Sequence, residues 1–130
     1  LKGNRFVDQA VLIGDQRSFP SLLVVPAFGA LESWARERGI SFDTRGELLK
    51  DRRVQEHLRK EVLGSLGDLA SFERPKKIGL IREDFTIDGG ILTPNLKVKR
   101  RAVHERYGDL IRQFYDPDNL TRDLFVEEGP

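Results

Sequence analysis

The sequence has 130 residues, a length that fits one domain and allows a hydrophobic core to form without disulfide or metal staples. Its 22 Lys+Arg nearly balance its 21 Asp+Glu, and the net charge of +1 creates no overall field that would attract nucleic acid or an anionic membrane. The absence of cysteine excludes disulfides, thiolate nucleophiles and Cys-based zinc sites.

Two apolar segments at the start of the chain predict a pair of strands. Residues 7–13 are rich in β-branched and apolar side chains, and residues 21–25 form a second apolar run that stops at Pro26. The polar loop between them is longer than two residues. The sequence therefore predicts a hairpin whose register is not fixed by a tight turn.

Helical spacing follows the second strand. Within residues 27–38 the apolar side chains recur on one helical face, and Gly39 is placed to end that helix. Thr44 and Glu47 form a capping-box pattern, and Asp51 is placed to cap a further helix. The apolar stripe of that further helix consists of Val54, Leu58, Val62, Leu66 and Leu69.

The second half of the chain carries strand and turn signals before one last helix. Residues 77–81 predict a third strand, and the Asp-Gly-Gly at residues 88–90 predicts a hairpin between β-forming residues. Thr93 as N-cap and Pro94 as first helical residue predict a last helix with a kink at Gly108.

The order strand, strand, helix, helix, strand, hairpin, helix predicts the fold class. It indicates an α+β fold, a small mixed sheet with a β-hairpin flanked by about three helices. Residues 1–115 form the predicted domain. Residues 116–130 begin with turn-forming residues and are predicted to be a partly disordered tail.

Several classes of protein and site are not indicated by the sequence. The longest purely apolar run spans residues 22–25, far below the ~20 residues of a membrane helix, and no signal-peptide pattern is present. His57 and His104 lack metal-ligand spacing, so no metal site is predicted, and His57 is expected to be a solvated helix residue. The chain contains no methionine, so we expect it to be a fragment of a longer protein.

The segment richest in chemistry is the basic run at the predicted start of the last helix. Its basic residues are Lys97, Lys99, Arg100 and Arg101. A helix start presents unpaired N–H groups and the positive end of the helix dipole, so a lysine there adds a mobile cation to an anion-binding end. Because cations are disfavoured at this end, the arrangement hints at function. The alternative is a solvated basic face.

Resemblance to a known family is carried mainly by residues 90–101, GILTPNLKVKRR, and residues 105–111, ERYGDLI. These look like the C-terminal end of long-chain fatty acid–CoA ligases, which are acyl-CoA synthetases of the adenylate-forming, AMP-binding superfamily. Residues 6–15, FVDQAVLIGD, and 22–26, LLVVP, resemble the strand pair that opens the small C-terminal domain of that family. The resemblance covers nearly the whole chain.

The resemblance implies that Lys97 is the catalytic lysine of the small domain. It would reach the active site on the large domain and contact the fatty acid carboxylate and the α-phosphate region of ATP. An ammonium there would offset the repulsion between two anions and stabilise the transition state. Lys99 is the competitor for this role, although on a helix it would point in a different direction. Arg100, Arg101 and His104 are weaker candidates for contact with CoA or the large domain.

The resemblance also implies partners and cofactors that lie outside this chain. The chain would be the mobile C-terminal lid of a longer enzyme whose N-terminal adenylation domain binds ATP, Mg and the fatty acid, with CoA as a further substrate. A lid that swings between two poses would leave the isolated fragment inactive. No nucleic acid partner is expected. The expected location is cytoplasmic, with peripheral association of the full-length enzyme with the inner face of a membrane left open.

Two other function classes remain open from the residues alone. A binding module could use residues 97–101 and Arg106 to contact a polyanion, but the balanced charge and the lack of interleaved aromatic residues disfavour it. A stand-alone dimerising α+β domain could use the exposed edge expected of a small sheet.

Overall fold

The computed structural model describes residues 5–14, 19–65, 75–83, 85–95, 97–119 and 121–127. The strands in this part of the chain are β1 (Val7–Ile13), β2 (Ser21–Pro26), β3 (Lys77–Leu80) and β4 (Leu124–Val126). The helices are α1 (Phe28–Glu37), α2 (Arg45–Lys50), α3 (Arg52–Ser65), α4 (Arg100–Arg106) and α5 (Gly108–Phe114), and a 3₁₀ turn spans Pro117–Asn119. The predicted α+β class with a small mixed sheet is confirmed.

The sheet has the strand order β1-β2-β3-β4 and is mixed in direction. The strands β1 and β2 form the predicted antiparallel hairpin, from Val7 opposite Pro26 to Ile13 opposite Ser21. The pairs β2–β3 and β3–β4 are parallel, and each parallel connection contains helices, as parallel strands require. Every residue of β2 and β3 is buried, so both faces of the central sheet are covered.

The strand β4 corrects the predicted domain boundary at residue 115. Residues 124–126 pair in parallel with β3, and the Phe125 side chain is fully buried with its ring centroid 5.3 Å from that of Phe114. Arg59 on α3 reaches Asp123, with Nη2 and Oδ2 2.5 Å apart. The segment predicted to be a tail therefore completes the sheet, whereas residues 128–130 lie outside the described residues.

The local capping signals of the first three helices are confirmed. Gly39 follows α1 with a φ of 73°, the left-handed conformation that glycine adopts readily. The Thr44 hydroxyl accepts from the Glu47 backbone N–H at 3.1 Å, although the Glu47 carboxylate accepts from Asp43 rather than from Thr44. Asp51 accepts from the Arg53 N–H at 2.8 Å. Of the predicted stripe on α3, the residues Val54, Leu58 and Val62 are buried, and Leu66 and Leu69 lie outside the described residues.

The predicted last helix is wrong at its start and is divided in two. The helix α4 begins at Arg100 rather than at Pro94, and α5 begins at Gly108 after a break at Tyr107. The turn predicted at residues 88–90 is present. Its flanks do not form a hairpin, because the N–H groups of residues 91 and 92 both donate to the Thr86 carbonyl. The chain is thus still in loop conformation where a helix was predicted.

His57 is not the solvated residue expected from the sequence. Its ring stacks on Trp34 with centroids 4.0 Å apart, the Phe6 ring meets it edge-on at 4.4 Å, and its side chain is 18% exposed. Burial lowers the pKa of His57 below its usual 6.5, and the nearby Glu61 carboxylate offsets this only in part, while Arg38 and Lys60 lower it further.

This environment predicts a stability loss on mild acidification. Because the folded state holds the pKa of His57 below its unfolded value, the contribution of His57 is complete above pH 6.5 and is lost as the pH falls toward the folded pKa. We expect His57→Phe, which keeps a ring against Trp34, to flatten the dependence of the free energy of unfolding on pH between about 5 and 7. Urea unfolding at several pH values measures this, with His104→Phe at an exposed position as the matched control. An unchanged slope in His57→Phe would contradict the expectation.

No helix within the described residues is long and apolar enough to cross a lipid bilayer.

Candidate functional site

The basic run spans the end of a closed loop and the start of a helix, because Lys97 lies in the loop whereas Lys99 is the N-cap of α4 and Arg100 and Arg101 are its first residues. We call residues 92–98 the Lys97 loop; within it, residue 96 is outside the described residues. Leu92 and Val98 form an antiparallel β-bridge that closes the loop. The Thr93 N–H donates to the Lys97 carbonyl at 2.8 Å, and the Lys97 N–H donates to the Thr93 hydroxyl at 3.0 Å. Both the backbone N–H and the backbone carbonyl of Lys97 are thus hydrogen-bonded to Thr93.

The segment leading into the Lys97 loop is fixed to the core. Ile91 and Leu92 are buried, and the Lys99 N–H donates to the Ile91 carbonyl at 2.7 Å just beyond the loop. The Gln9 side-chain amide on β1 binds the Phe85 backbone twice, accepting from its N–H at 2.7 Å and donating to its carbonyl at 3.1 Å. Sequence reasoning missed Gln9, whose only signal is a polar amide in the middle of an otherwise strand-like run.

The Lys97 side chain itself is exposed. In the described part of the chain, no salt bridge involves Lys97, whereas Arg101 pairs with Glu105 at 3.7 Å and Arg106 with Glu83 at 3.0 Å. An exposed ammonium on a backbone held by hydrogen bonds can bind an anion presented from outside this chain.

The structure also changes the relation between Lys97 and Lys99. On a helix the two side chains would diverge, but Val98 lies in a β-bridge and Lys99 has extended dihedral angles. Side chains two residues apart in an extended segment lie on the same side. The exposures agree, because both lysines are exposed and Val98 is half-buried. Because Lys97 does not lie on a helix, the predicted divergence of the two lysines loses its basis, and an experiment must distinguish them.

The Thr93 hydroxyl has a testable role in the loop. Thr93→Val keeps the shape of the side chain but removes the acceptor for the Lys97 N–H. Since a hydrogen bond of this kind is worth roughly 1 kcal/mol net, we expect the Lys97 amide to exchange with solvent about fivefold faster. Hydrogen exchange followed by NMR measures this, and Thr93→Ser, which retains the hydroxyl, should behave like the unaltered chain. Equal exchange in Thr93→Val and Thr93→Ser would show that the bond does not hold the loop.

Lys77 is a buried cation that sequence reasoning treated only as a strand residue. Its side chain is 5% exposed, and Nζ donates to the Asn119 carbonyl at 2.5 Å and to the Arg122 carbonyl. Burial lowers the pKa of Lys77, and the Asp123 carboxylate opposes that shift. These partners fasten the turn before β4, so Lys77 has a structural role.

Among the described residues there is no cluster of three or more His, Cys, Asp or Glu that could hold a metal ion. His104 and Arg101 are exposed on α4, on the exit side of the Lys97 loop.

Comparison with known proteins gives a consistent set of relatives. No family model matches the chain. It is 34% identical over 122 residues to long chain acyl-CoA synthetase 8 of Arabidopsis thaliana, covering 88% of this chain and 16% of that protein. It is 38% identical over 104 residues to long-chain-fatty-acid–CoA ligase 5 of Mus musculus, covering 77% of this chain and 15% of that protein. Over most of its length the chain is therefore homologous to long-chain acyl-CoA synthetases. It spans about 16% of the length of the Arabidopsis relative.

Solved structures agree with this homology. The A-PCP didomain of a carboxylic acid reductase from Segniliparus rugosus, solved in complex with AMP, has a TM-score of 0.65 and 26% identity, covering 87% of this chain and 14% of that one. The adenylation domain of a carboxylate reductase from Mycobacterium chelonae has a TM-score of 0.60 and 27% identity, covering 87% of this chain and 16% of that one. The resemblance to adenylate-forming ligases predicted from the sequence is confirmed.

Proposed function

We propose that this chain is the mobile C-terminal lid of an AMP-forming long-chain fatty acid–CoA ligase and that Lys97 is its adenylation lysine. The observation that carries the proposal is an exposed ammonium on a hydrogen-bonded loop, in a chain homologous to these ligases. Lys97 stands in the LTPNLK segment on which the resemblance rests. The active site that it serves would lie on the large N-terminal domain of the same longer protein.

The reaction needs a cation where two anions meet. A fatty acid carboxylate oxygen forms a bond to the α-phosphorus of ATP while the bond from that phosphorus to pyrophosphate breaks, which gives acyl-AMP. Negative charge builds on the phosphoryl oxygens as the carboxylate approaches. The Lys97 ammonium would offset that repulsion and stabilise the charge in a site closed to water. Mg and the remaining ATP contacts would belong to the large domain, since the described residues of this chain offer no metal-binding cluster.

The second half-reaction needs the lid in another pose. After pyrophosphate leaves, rotation of the lid would withdraw Lys97 and open the approach of the CoA thiol to acyl-AMP, with the thioester formed and AMP released. The lysine would therefore serve only the first half-reaction. This chain on its own would fold but catalyse neither. In the cell the longer ligase would be cytoplasmic, with its acyl substrates compatible with peripheral contact to the inner face of a membrane.

The test separates the two half-reactions in the longer ligase that carries this chain. Lys97→Ala is assayed for fatty acid-dependent pyrophosphate exchange and, separately, for thioester formation from supplied acyl-adenylate. Loss of the first with the second retained supports the proposal. Equal loss of both would indicate a role in folding or docking. No loss of either would transfer the role to Lys99 or favour a polyanion-binding module, which salt-dependent binding to an oligonucleotide would reveal.

A further inference from the structure

We infer that Arg100 is a positioning residue for Lys97, because it ties the exit of the Lys97 loop to the edge strand of the sheet. The Arg100 guanidinium Nη1 donates to the Leu12 carbonyl on β1 at 2.8 Å, across 88 residues of sequence. This inference rests on the proposed function of Lys97. It goes beyond that function by assigning to Arg100 a task inside this chain rather than at a ligand.

The geometry of the loop shows why such a tie is needed. The bonds between Thr93 and Lys97 fix the shape of the loop, but they do not fix its angle to the sheet. The entry side is already anchored through buried Ile91 and Leu92. The exit side is bonded to the entry side through the Lys99 N–H and the Ile91 carbonyl, and it continues into α4, a helix of seven residues that begins at Arg100.

The tie ends on the same strand that holds the entry side. Gln9 and Leu12 both lie on β1. The Gln9 side chain binds the Phe85 backbone, which precedes the loop. The Leu12 carbonyl accepts from Arg100, which follows the loop. Among the described strands, β1 lies at the edge of the sheet and pairs with β2, so its other side is open to such contacts. Hydrogen bonds from β1 therefore hold the chain both before and after the Lys97 loop.

Arg100 differs in this respect from Arg101 and Arg112. Arg101 is 94% exposed at its side chain and pairs with Glu105 within α4, and Arg112 pairs with Asp109 within α5. Ion pairs inside one helix do not fix that helix to the sheet. A charged donor to a carbonyl of a different element does, and hydrogen bonds that involve a charged partner are the stronger ones.

Displacement of Lys97 would lower the rate of adenylation and leave the affinity for substrates unchanged. Small displacements of a catalytic group can cost up to about a hundredfold in rate. We expect Arg100→Ala to lower kcat of the adenylation half-reaction about tenfold, with KM for ATP and for fatty acid unchanged, and to leave thioester formation from supplied acyl-adenylate unaffected. Arg100→Lys, which restores a donor of nearly the same reach, should recover part of the loss. Arg112→Ala is the control and should keep the full rate.

A double-mutant cycle in the longer ligase tests whether Arg100 acts through Lys97. If it does, Arg100→Ala will lower the residual rate of a Lys97→Ala enzyme by less than about twofold, because the group that it positions is gone. A tenfold further loss in that background would overturn the inference, and so would a raised KM for CoA or a slower thioester step, which would place Arg100 at a ligand. A large effect of Lys97→Ala with no effect of Arg100→Ala would overturn this inference alone. No effect of Lys97→Ala would overturn the proposed function as well.

A measurement on this chain alone keeps the inference testable without turnover. In the isolated chain, Arg100→Ala should speed hydrogen exchange of the Lys99 amide, which donates to Ile91 at the exit of the loop, and leave exchange at β3 unchanged. Uniformly faster exchange in both places would indicate loss of global stability instead and would overturn a local positioning role.

Discussion

Arginine in place of Lys97 is expected to restore little of the adenylation rate that alanine at this position removes. In the longer ligase, Lys97→Ala should lower the rate of fatty acid-dependent pyrophosphate exchange by about 10²–10³-fold, the usual effect of removing one preorganised donor to a developing negative charge. Lys97→Arg keeps the charge but replaces a compact ammonium with a wider planar fork, whose donors cannot occupy the same point between carboxylate and phosphate. We therefore expect Lys97→Arg to remain at least about tenfold below the unaltered enzyme.

The control for this prediction is the neighbouring lysine. Lys99 is exposed like Lys97, lies two residues further along the chain and has extended dihedral angles. Lys99→Ala should lower the exchange rate by less than about tenfold, since it would remove a diffuse charge rather than the contact itself. If Lys99→Ala instead gave the large loss and Lys97→Ala the small one, the catalytic lysine would be two residues further along the chain.

The contrast between these two lysines shows what the sequence could and could not predict about the site. The proposal that Lys97 is the adenylation lysine rests on the resemblance carried by residues 90–101, which does not depend on local conformation. The prediction that Lys97 lies at a helix start rested on the pair Thr93-Pro94, which is typical of a helix N-terminus but also fits a closed loop. The contacts that select the loop are the bridge from Leu92 to Val98 and the burial of Leu92, and both depend on tertiary structure.

In the fold, too, elements with a local sequence pattern were predictable and those fixed by tertiary contacts were not. The strands β1 and β2 and the helices α1 and α3 were predicted closely because each has a local apolar pattern and flanking turn or cap residues. The strand β4 was missed because three residues carry no readable period, and its partner β3 is distant in sequence. What makes Leu124–Val126 a strand is an open edge of β3 and the space that Phe125 fills against Phe114.

The packing of Phe114 also leaves no room for a side chain at Gly79 on β3. A Cβ at Gly79 would lie 2.6 Å from Phe114 Cζ and 3.1 Å from the nearest Cδ2 atoms of Leu110 and Leu23. All three neighbours are buried, so none can move into solvent. Forcing a methyl group into a well-packed core costs about 1–3 kcal/mol, and this exceeds the entropic gain of replacing a strand glycine. We expect Gly79→Ala to lower the free energy of unfolding of this chain by that amount.

Urea unfolding measures the effect as a lower midpoint with an unchanged slope. The matched control is Gly29→Ala on α1, where an added Cβ meets nothing within 4 Å and should stabilise the chain by up to about 1 kcal/mol. A second variant tests the cause. If Phe114 is the obstacle, Phe114→Leu combined with Gly79→Ala should cost less than the sum of the two single changes, because the shorter side chain frees the space that the methyl group needs. Strict additivity would mean that the crowding does not arise at Phe114, and α5 would then have no part in requiring glycine at this position.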